Sequence, residues 1–172
     1  MGNLVSSTLS LDEVESLRRK AREHGENRAE LSKQSQDAWK SGDKSKAKDF
    51  SNQSKLEHQK QLQLDQKAAS KVFEINNKNQ PADTIDLHGL YAKEARTRCL
   101  SRIDQDRKKN RKYLIIVVGR GNHSQDGIRK LEPEIQKILK ELNFPIKVTN
   151  NKPNAGCIYV EYSEAGNSCC IL

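Results

Sequence analysis

The sequence has no run of about 18 apolar residues and no apolar signal-peptide core near its start. It therefore predicts neither a membrane-spanning helix nor an exported protein. Its four cysteines form no CxxC pair, so neither a zinc site nor a disulfide framework is indicated. These absences favour a reducing compartment, the cytoplasm or the nucleus.

Apolar residues are also few, since the 172 residues are 34% hydrophobic and 31% charged. Part of the chain must then be long solvated helix or tail rather than one globule. A net charge of +8 favours polyanionic partners, namely nucleic acid, ribosomes or an anionic membrane surface, with simple solubility as the alternative. Residues 83–162 hold 16 Lys and Arg against 10 Asp and Glu, so this region should meet the polyanion.

Residues 13–77 contain no proline and are rich in Lys, Glu, Gln, Ala and Leu. This composition predicts a helical hairpin with helices over about 13–41 and 44–76, preceded by a disordered N-terminus over 1–12. Its apolar residues form only a thin seam, so the hairpin is marginal alone and is expected to act as an intramolecular lid or a partner-docking arm. The predicted seam comprises Leu17, Ala21, Leu31, Ala38, Trp39, Ala47, Phe50, Leu56, Leu62, Leu64, Val72 and Phe73.

Short polar motifs predict where these helices begin and end. Ser10 with Glu13 three residues on is a capping-box signature for the start of the first helix. Gly42 suits the end of that helix and Asp43 the N-cap of the second. A turn-rich linker over 78–82 follows.

The pattern of apolar and polar residues changes after the linker, where short apolar runs alternate with amphipathic stretches. The order β-α-β-α-β-β over 83–162 predicts an α/β fold, a two-layer sandwich with its first two strands parallel. A C-terminal tail, 163–172, follows this domain. The predicted elements are strands over 84–90, 113–119, 146–151 and 156–162 and helices over 92–109 and 127–143.

Polar residues of two motifs fall where the two parallel strands end. Asp86 and His88 lie two apart at the end of the first strand and share a face. The loop "GRGNHSQDG" follows the second strand, so both motifs should meet at one rim of the sheet, where ligands of such sheets bind. His88 and His123 are candidate proton carriers there. Asp86 could orient a histidine or help to hold a metal ion.

The glycine loop is suited to binding phosphate, because its glycines allow turns that bare successive backbone N–H groups near a helix start. Arg120 can fork onto two phosphate oxygens. The loop is neither a GxGxxG dinucleotide fingerprint nor a P-loop, since Ser124 stands where glycine is needed and the GK[ST] ending is missing. The predicted phosphate-binding residues are Gly119, Arg120, Gly121, Asn122 and Ser124.

Three motifs, "IDLHGLYAKEA", "VVGRGNHSQDGIRKLEPEI" and "NNKPNAGCIYVEY", resemble the Smr (small MutS-related) domain over residues 83–162. The last motif has fewer glycines than the family usually shows. Residues 13–77 resemble a helical domain of unknown function that often precedes Smr domains in eukaryotes.

The resemblance implies an endonuclease, since Smr domains nick DNA or cleave RNA and several eukaryotic members act on messenger RNA at stalled ribosomes. RNA is the expected substrate, with DNA nicking as the alternative. Carried over by motif, the expected catalytic residues are Asp86, His88, Arg120 and His123.

Two mechanisms fit these residues. In the first, a histidine deprotonates an RNA 2′-OH that attacks the adjacent phosphorus, with no metal. In the second, Asp86 and its neighbours hold a divalent metal ion that activates water, so DNA is also cut. The presence of one well-placed carboxylate favours the first. A non-catalytic nucleic-acid or ribosome-binding module is the alternative function, and with only Tyr91 and Tyr113 near the motifs its binding would be led by the phosphate backbone.

The two ends of the sequence carry lipidation patterns. "MGNLVS" fits myristoylation at Gly2, and "CCIL" fits prenylation at Cys169, with palmitoylation of Cys169 and Cys170 as the alternative. Two such signals are what stable membrane anchoring requires. Peripheral membrane association is therefore a second expectation.

Overall fold

The computed structural model describes most of the chain, namely residues 2–120, 131–142, 146–149 and 156–162. The chain divides into two compact units, Met1–Ile75 and Asn76–Leu172. A helical hairpin and the order β-α-β-α-β-β follow one another as predicted. The elements are α1 Gly2–Lys40, α2 Lys44–Asn77, β1 Thr84–Asp86, α3 Ala92–Lys108, β2 Tyr113–Val117, α4 Leu131–Glu141, β3 Ile146–Thr149 and β4 Cys157–Tyr162.

The turn between α1 and α2 is built by a glycine and an aspartate. Gly42 has a φ of 86° and its N–H donates to the Trp39 carbonyl at 3.1 Å, while the N–H of Asp43 donates to the Ala38 carbonyl at 3.0 Å. This pair of bonds is the Schellman motif, which needs a left-handed residue at Gly42. The Asp43 side chain then accepts a bond from the Lys46 N–H, so both predicted caps are confirmed.

The first helix starts earlier than the sequence predicted. α1 begins at Gly2, so it extends over residues 2–12, which were expected to be disordered, and Ser10 lies inside the helix instead of capping it. Residues 3–24 contain neither glycine nor proline. Nothing in this stretch therefore interrupts the helical hydrogen bonds once they form.

The fully buried apolar residues of the hairpin seam are small, which corrects the prediction for three of the large ones. Trp39, Leu56 and Leu62 are more than half exposed. The hydroxyls of Ser32 and Ser54 lie 2.8 Å apart across the hairpin, a distance that requires close approach of the two helices at this point. The buried hydrophobic residues of the hairpin are Ala21, Ala47, Ala68, Ala69 and Val72.

Polar pairs set the antiparallel register of α1 and α2. Arg18 Nη1 lies 2.9 Å from Asp65 Oδ1, and His24 Nδ1 lies 2.5 Å from Glu57 Oε2. The partners move back along α2 as the residues advance along α1. Because Arg18 is buried, its ion pair with Asp65 is expected to matter more for stability than an exposed pair would.

The second unit contains a four-stranded sheet with the order β1-β2-β4-β3. β1 runs parallel to β2, as predicted, and the other two neighbouring pairs are antiparallel. Within the described residues, β1 therefore forms an edge of the sheet and pairs with β2 on one side. This arrangement brings the end of β1 beside the end of β2.

One face of the sheet carries the core. Leu114 and Ile116 on β2 are fully buried, whereas Tyr113 is exposed and Ile115 half-buried. In a two-layer α/β fold the helices cover only one face of the sheet, so burial alternates along the strand. The largest buried apolar side chains of this unit are Ile85, Leu87, Ile103, Leu114, Ile116, Ile135, Ile138, Leu139, Ile158 and Val160.

Candidate active site

The rim where β1 and β2 end brings one residue from each of three strands into a row. Asp86 is the register partner of Val117, and Val117 is the partner of Cys157 on β4. Partners in neighbouring strands project to the same face of a sheet. Asp86 and Cys157 therefore flank Val117 on the face opposite the core.

Asp86 holds His88 through two hydrogen bonds to one oxygen. The backbone N–H of His88 donates to Asp86 Oδ1 at 2.9 Å, and His88 Nδ1 lies 2.6 Å from the same atom. Since a carboxylate only accepts, Nδ1 carries the hydrogen and Nε2 is the nitrogen left for a substrate. The Asp86 side chain is 9% exposed and that of His88 is 52% exposed, so a buried carboxylate orients a ring that solvent can reach.

The contact with Asp86 also changes the pKa of His88. The hydrogen bond to Asp86 raises the pKa of His88 above its usual value of 6.5, partial burial opposes that rise, and the carboxylate charge adds to it. His88 is thus a stronger proton acceptor than a free imidazole. A ring oriented by a carboxylate, with its other nitrogen open, is the arrangement that general-base catalysis uses.

Gly119 lies directly against His88. Its φ is +80°, and a Cβ built on it would come within 3.2 Å of the Cβ of His88. Only glycine combines this backbone conformation with so close an approach. The predicted link between the two motifs is therefore present in the geometry, with the start of the glycine loop packed on the histidine.

Gly156 is a further residue of this site, and no role for it follows from the sequence motifs. With a φ of +127°, it would place a Cβ 3.1 Å from the Gly119 carbonyl carbon and 3.2 Å from Arg120 Cγ. Its carbonyl accepts a bond from the Val118 N–H at 2.8 Å. This glycine belongs to the "AGC" segment of the third Smr-like motif, and it packs against Gly119 and Arg120 at the start of the glycine loop.

Arg120 is exposed and lies at the same rim. Burial raises the pKa of the Cys157 thiol, the charge of Asp86 raises it further, and the charge of Arg120 lowers it. Both charged groups are thus within electrostatic reach of Cys157. The structure brings together four of the predicted site residues: Asp86, His88, Gly119 and Arg120.

Polar side chains from the end of α2 and from α3 also cover the outer edge of β1, and no sequence motif pointed to them. Asn77 makes two bonds of 2.8 Å with the backbone of Asp86, and Asn76 donates to the His88 carbonyl at 2.8 Å. Arg102 donates to the Thr84 carbonyl at 3.1 Å.

The buried carboxylate of Asp106 fixes Arg102 in place. Asp106 is 1% exposed, and both of its oxygens lie 2.9 Å from Arg102 Nε. Arg111 and the Tyr162 hydroxyl also contact this carboxylate. The network is structural, because it pairs and hydrogen-bonds a charge that burial would otherwise make costly.

The remaining predicted loop residues lie outside the described part of the chain, namely Gly121, Asn122, His123 and Ser124. The predicted helix start near Gly127 does as well. Across residues 2–120, 131–142, 146–149 and 156–162, no group of three or more His, Cys, Asp and Glu side chains is placed to hold a metal ion.

The lipidation sites stay predictions. Gly2 is the first residue of α1, and Cys169 and Cys170 lie outside the described residues. Within the part of the chain that the structure describes, none of the helices is both long and apolar enough to cross a membrane.

Comparison with known families defines both units. Residues 85–162 match the Smr domain, and residues 15–77 match a domain of unknown function, DUF1771. The α/β unit with its DLH and glycine-loop rim is thus a Smr domain, and the helical hairpin is a DUF1771 domain. The chain belongs to the family of Smr domain proteins in which DUF1771 precedes the Smr domain.

Similar proteins come from yeasts and human. A Smr domain-containing protein of Schizosaccharomyces pombe is 35% identical over 87% of this chain and 71% of its own length. Endonuclease NBR9 of Saccharomyces cerevisiae is 37% identical over 87% of this chain and 62% of its own length. NEDD4-binding protein 2 of Homo sapiens is 33% identical over 80% of this chain but 8% of its own length.

A comparison with solved structures found the solution structure of the B3BP Smr domain, with 30% sequence identity and a TM-score of 0.44, covering 56% of this chain and 93% of that chain.

Proposed function

We propose that this protein is an endonuclease that cleaves RNA in preference to DNA. The observation that carries the proposal is the Asp86–His88 pair, a buried carboxylate holding an exposed imidazole beside Gly119 and Arg120. A basic Smr domain suits a polyanionic substrate, and the name of one relative, Endonuclease NBR9, supports the same reaction class.

His88 is the proposed general base. Its Nε2 atom accepts the proton of a ribose 2′-OH while O2′ forms a bond to the adjacent phosphorus. The bond from phosphorus to the 5′ oxygen breaks, and that oxygen takes up a proton, for which His123 is the candidate donor. The products are a 2′,3′-cyclic phosphate and a 5′-OH, so the step balances without a metal or an outside oxidant.

Arg120 and the glycine loop are proposed to stabilise the charge that develops on the phosphoryl oxygens. A guanidinium can donate two parallel hydrogen bonds to two such oxygens. Donors fixed before the reaction begins are among the largest contributions to catalysis. Gly119 fits this role because its packing on His88 sets the distance between the loop and the base.

The competing mechanism uses a divalent metal that activates water, and it would cut DNA as well. In the described residues Asp86 uses one carboxylate oxygen to accept both bonds from His88. That engagement favours Asp86 as the partner of a base over Asp86 as a metal ligand, and we therefore put the metal-free reaction first.

The test is cleavage of end-labelled single-stranded RNA and of supercoiled plasmid, each with EDTA and with Mg²⁺. The His88→Ala protein should lose about 10²- to 10⁴-fold in rate, the usual contribution of a general base. His58→Ala is the matched control, since His58 belongs to the hairpin, and it should cleave like the parent chain. RNA cleavage in EDTA that leaves cyclic phosphate ends is the expected result.

Other outcomes would redirect the proposal. Strict dependence on a divalent metal would exclude the metal-free step, and nicking of plasmid would extend the substrate to DNA. Salt-sensitive RNA binding with no cleavage would favour a binding module. The family resemblance also suggests messenger RNA on ribosomes as a substrate, so the assay should be repeated with ribosome-bound RNA before the nuclease is rejected.

A further inference from the structure

Two asparagines at the end of α2 form hydrogen bonds with the backbone of the Asp86–His88 motif. Asn77 Nδ2 donates to the Asp86 carbonyl at 2.8 Å, and Asn77 Oδ1 accepts from the Asp86 N–H at 2.8 Å. Asn76 Nδ2 donates to the His88 carbonyl, also at 2.8 Å. Both asparagines belong to the same compact unit as the motif.

The geometry of β1 leaves the backbone groups of Asp86 available for these hydrogen bonds. β1 is an edge strand, and its bonds to β2 involve the residues on either side of Asp86, since the Leu87 N–H donates to the Val117 carbonyl at 2.9 Å. Along a strand, successive residues direct their backbone groups to opposite sides. The N–H and C=O of Asp86 therefore face the open edge, where the Asn77 carboxamide pairs with both, as a neighbouring strand would.

We propose that Asn77 and Asn76 are positioning residues that hold Asp86 and His88 in register with Gly119. This rests on the proposed nuclease function, because positioning is meaningful only if His88 acts on a substrate. The asparagines touch no atom of either side chain through these bonds. They fix the backbone that carries the carboxylate and the ring, so their loss should displace the base without removing it.

Asn76 and Asn77 precede the residues that match the Smr domain, since that match begins at residue 85. They nevertheless belong to the same compact unit as the motif. The support for the reactive motif thus extends beyond the matched segment, within that unit.

Only a carboxamide can make both bonds that Asn77 makes. Aspartate has the same shape but two acceptor oxygens, so one of them would face the Asp86 carbonyl without a hydrogen between them. Asn77→Asp is therefore a nearly isosteric test. Asn79→Asp is its matched control, because it adds the same charge two residues on, at an exposed side chain.

The experiment measures RNA cleavage by full-length Asn77→Asp, Asn77→Ala, Asn76→Ala and Asn79→Asp proteins, with thermal melting to confirm folding. Both Asn77 variants should lose kcat on the order of 10²-fold, the effect of a misplacement of about 1 Å, with KM unchanged. Asn76→Ala, which removes one bond, should lose less. Asn79→Asp should match the parent chain.

Hydrogen exchange of the Asp86 amide provides a readout that does not depend on activity. This amide donates to Asn77 Oδ1, so its exchange should quicken in Asn77→Ala and not in Asn79→Asp. Parent-like kcat in both Asn77 variants, a change confined to KM, or unchanged exchange would overturn the positioning role. Absence of cleavage by the parent chain would instead overturn the nuclease proposal, and the exchange experiment would still decide whether Asn77 holds the motif.

Discussion

His88 Nδ1 lies 2.6 Å from Asp86 Oδ1, in a contact between residues two apart in the sequence at the end of β1. Such residues lie on the same face of a strand, so their side chains can meet. The contact couples a buried carboxylate to an imidazole ring that is about half exposed.

The first prediction concerns the ionisation of His88. Its pKa in the folded chain should exceed 6.5, and Asp86→Asn should lower it, because the hydrogen bond to the carboxylate is the largest cause of the rise. Cleavage needs the neutral ring, so the acid limb of the rate profile should move to lower pH in Asp86→Asn. NMR titration of the ring and the pH dependence of kcat/KM measure both.

The same shift fixes the sign of the stability effect. A folded-state pKa above the unfolded value means that the folded chain binds the proton more tightly. The contribution of the pair to stability is fully present below pH 6.5 and is lost as the pH rises through the folded-state pKa. If the pKa of His88 were the same in the parent and Asp86→Asn proteins, the carboxylate would not tune the ring.

The second prediction uses two glycines with similar backbone but different surroundings. Gly119 and Gly42 have φ values of +80° and +86°, yet a Cβ would meet the Cβ of His88 at Gly119 and nothing within 4 Å at Gly42. Alanine at either should cost about 1–2 kcal/mol of the stability of its unit. Only Gly119→Ala should slow RNA cleavage, because it displaces His88. Denaturant unfolding and kcat distinguish the two, and equal cleavage by both variants would count against the link between the motifs.

The third prediction separates electrostatic binding from chemistry. Arg120→Ala should weaken RNA binding and lower the slope of log K against log salt by about 1, the contribution of one phosphate contact. It should also reduce the cleavage rate at saturating RNA, because the guanidinium is proposed to stabilise developing charge. Filter binding across a salt series tests the first effect and single-turnover kinetics the second. Lys147→Ala is the control at an exposed lysine of β3. An unchanged salt slope would remove Arg120 from the interface.

The fourth prediction concerns the hairpin. Asp65→Ala removes the carboxylate that lies 2.9 Å from the buried guanidinium of Arg18, and it should destabilise the helical unit by about 1–3 kcal/mol. Glu23→Ala is the matched control, since its pair with Arg19 is 4.0 Å long and exposed on both sides. That change should cost less than about 0.5 kcal/mol. Urea unfolding followed by circular dichroism compares them, and equal losses would mean that the Arg18 pair is energetically silent.

Much of the fold could be predicted from local patterns in the chain. Gly42 and Asp43 marked the turn of the hairpin because a Schellman end and an N-cap depend on one or two residues. The predicted burial of Trp39, Leu56 and Leu62 in the seam was wrong, since apolar spacing does not reveal how closely two helices approach. The predicted start of α1 was also wrong, because a capping signature within a segment does not by itself prevent the helix from extending further towards the N-terminus.

Some residues of the candidate site were likewise predicted from sequence motifs, and others were not. Sequence patterns were sufficient to group Asp86, His88, Gly119 and Arg120, because their motifs follow two strands whose ends must meet in a parallel pair. The contacts of Gly156 with the loop and of Asn76 and Asn77 with the motif become visible in the folded chain. Their contacts are made with backbone atoms of distant residues, which every residue shares, so no pattern of side chains along the chain could indicate them.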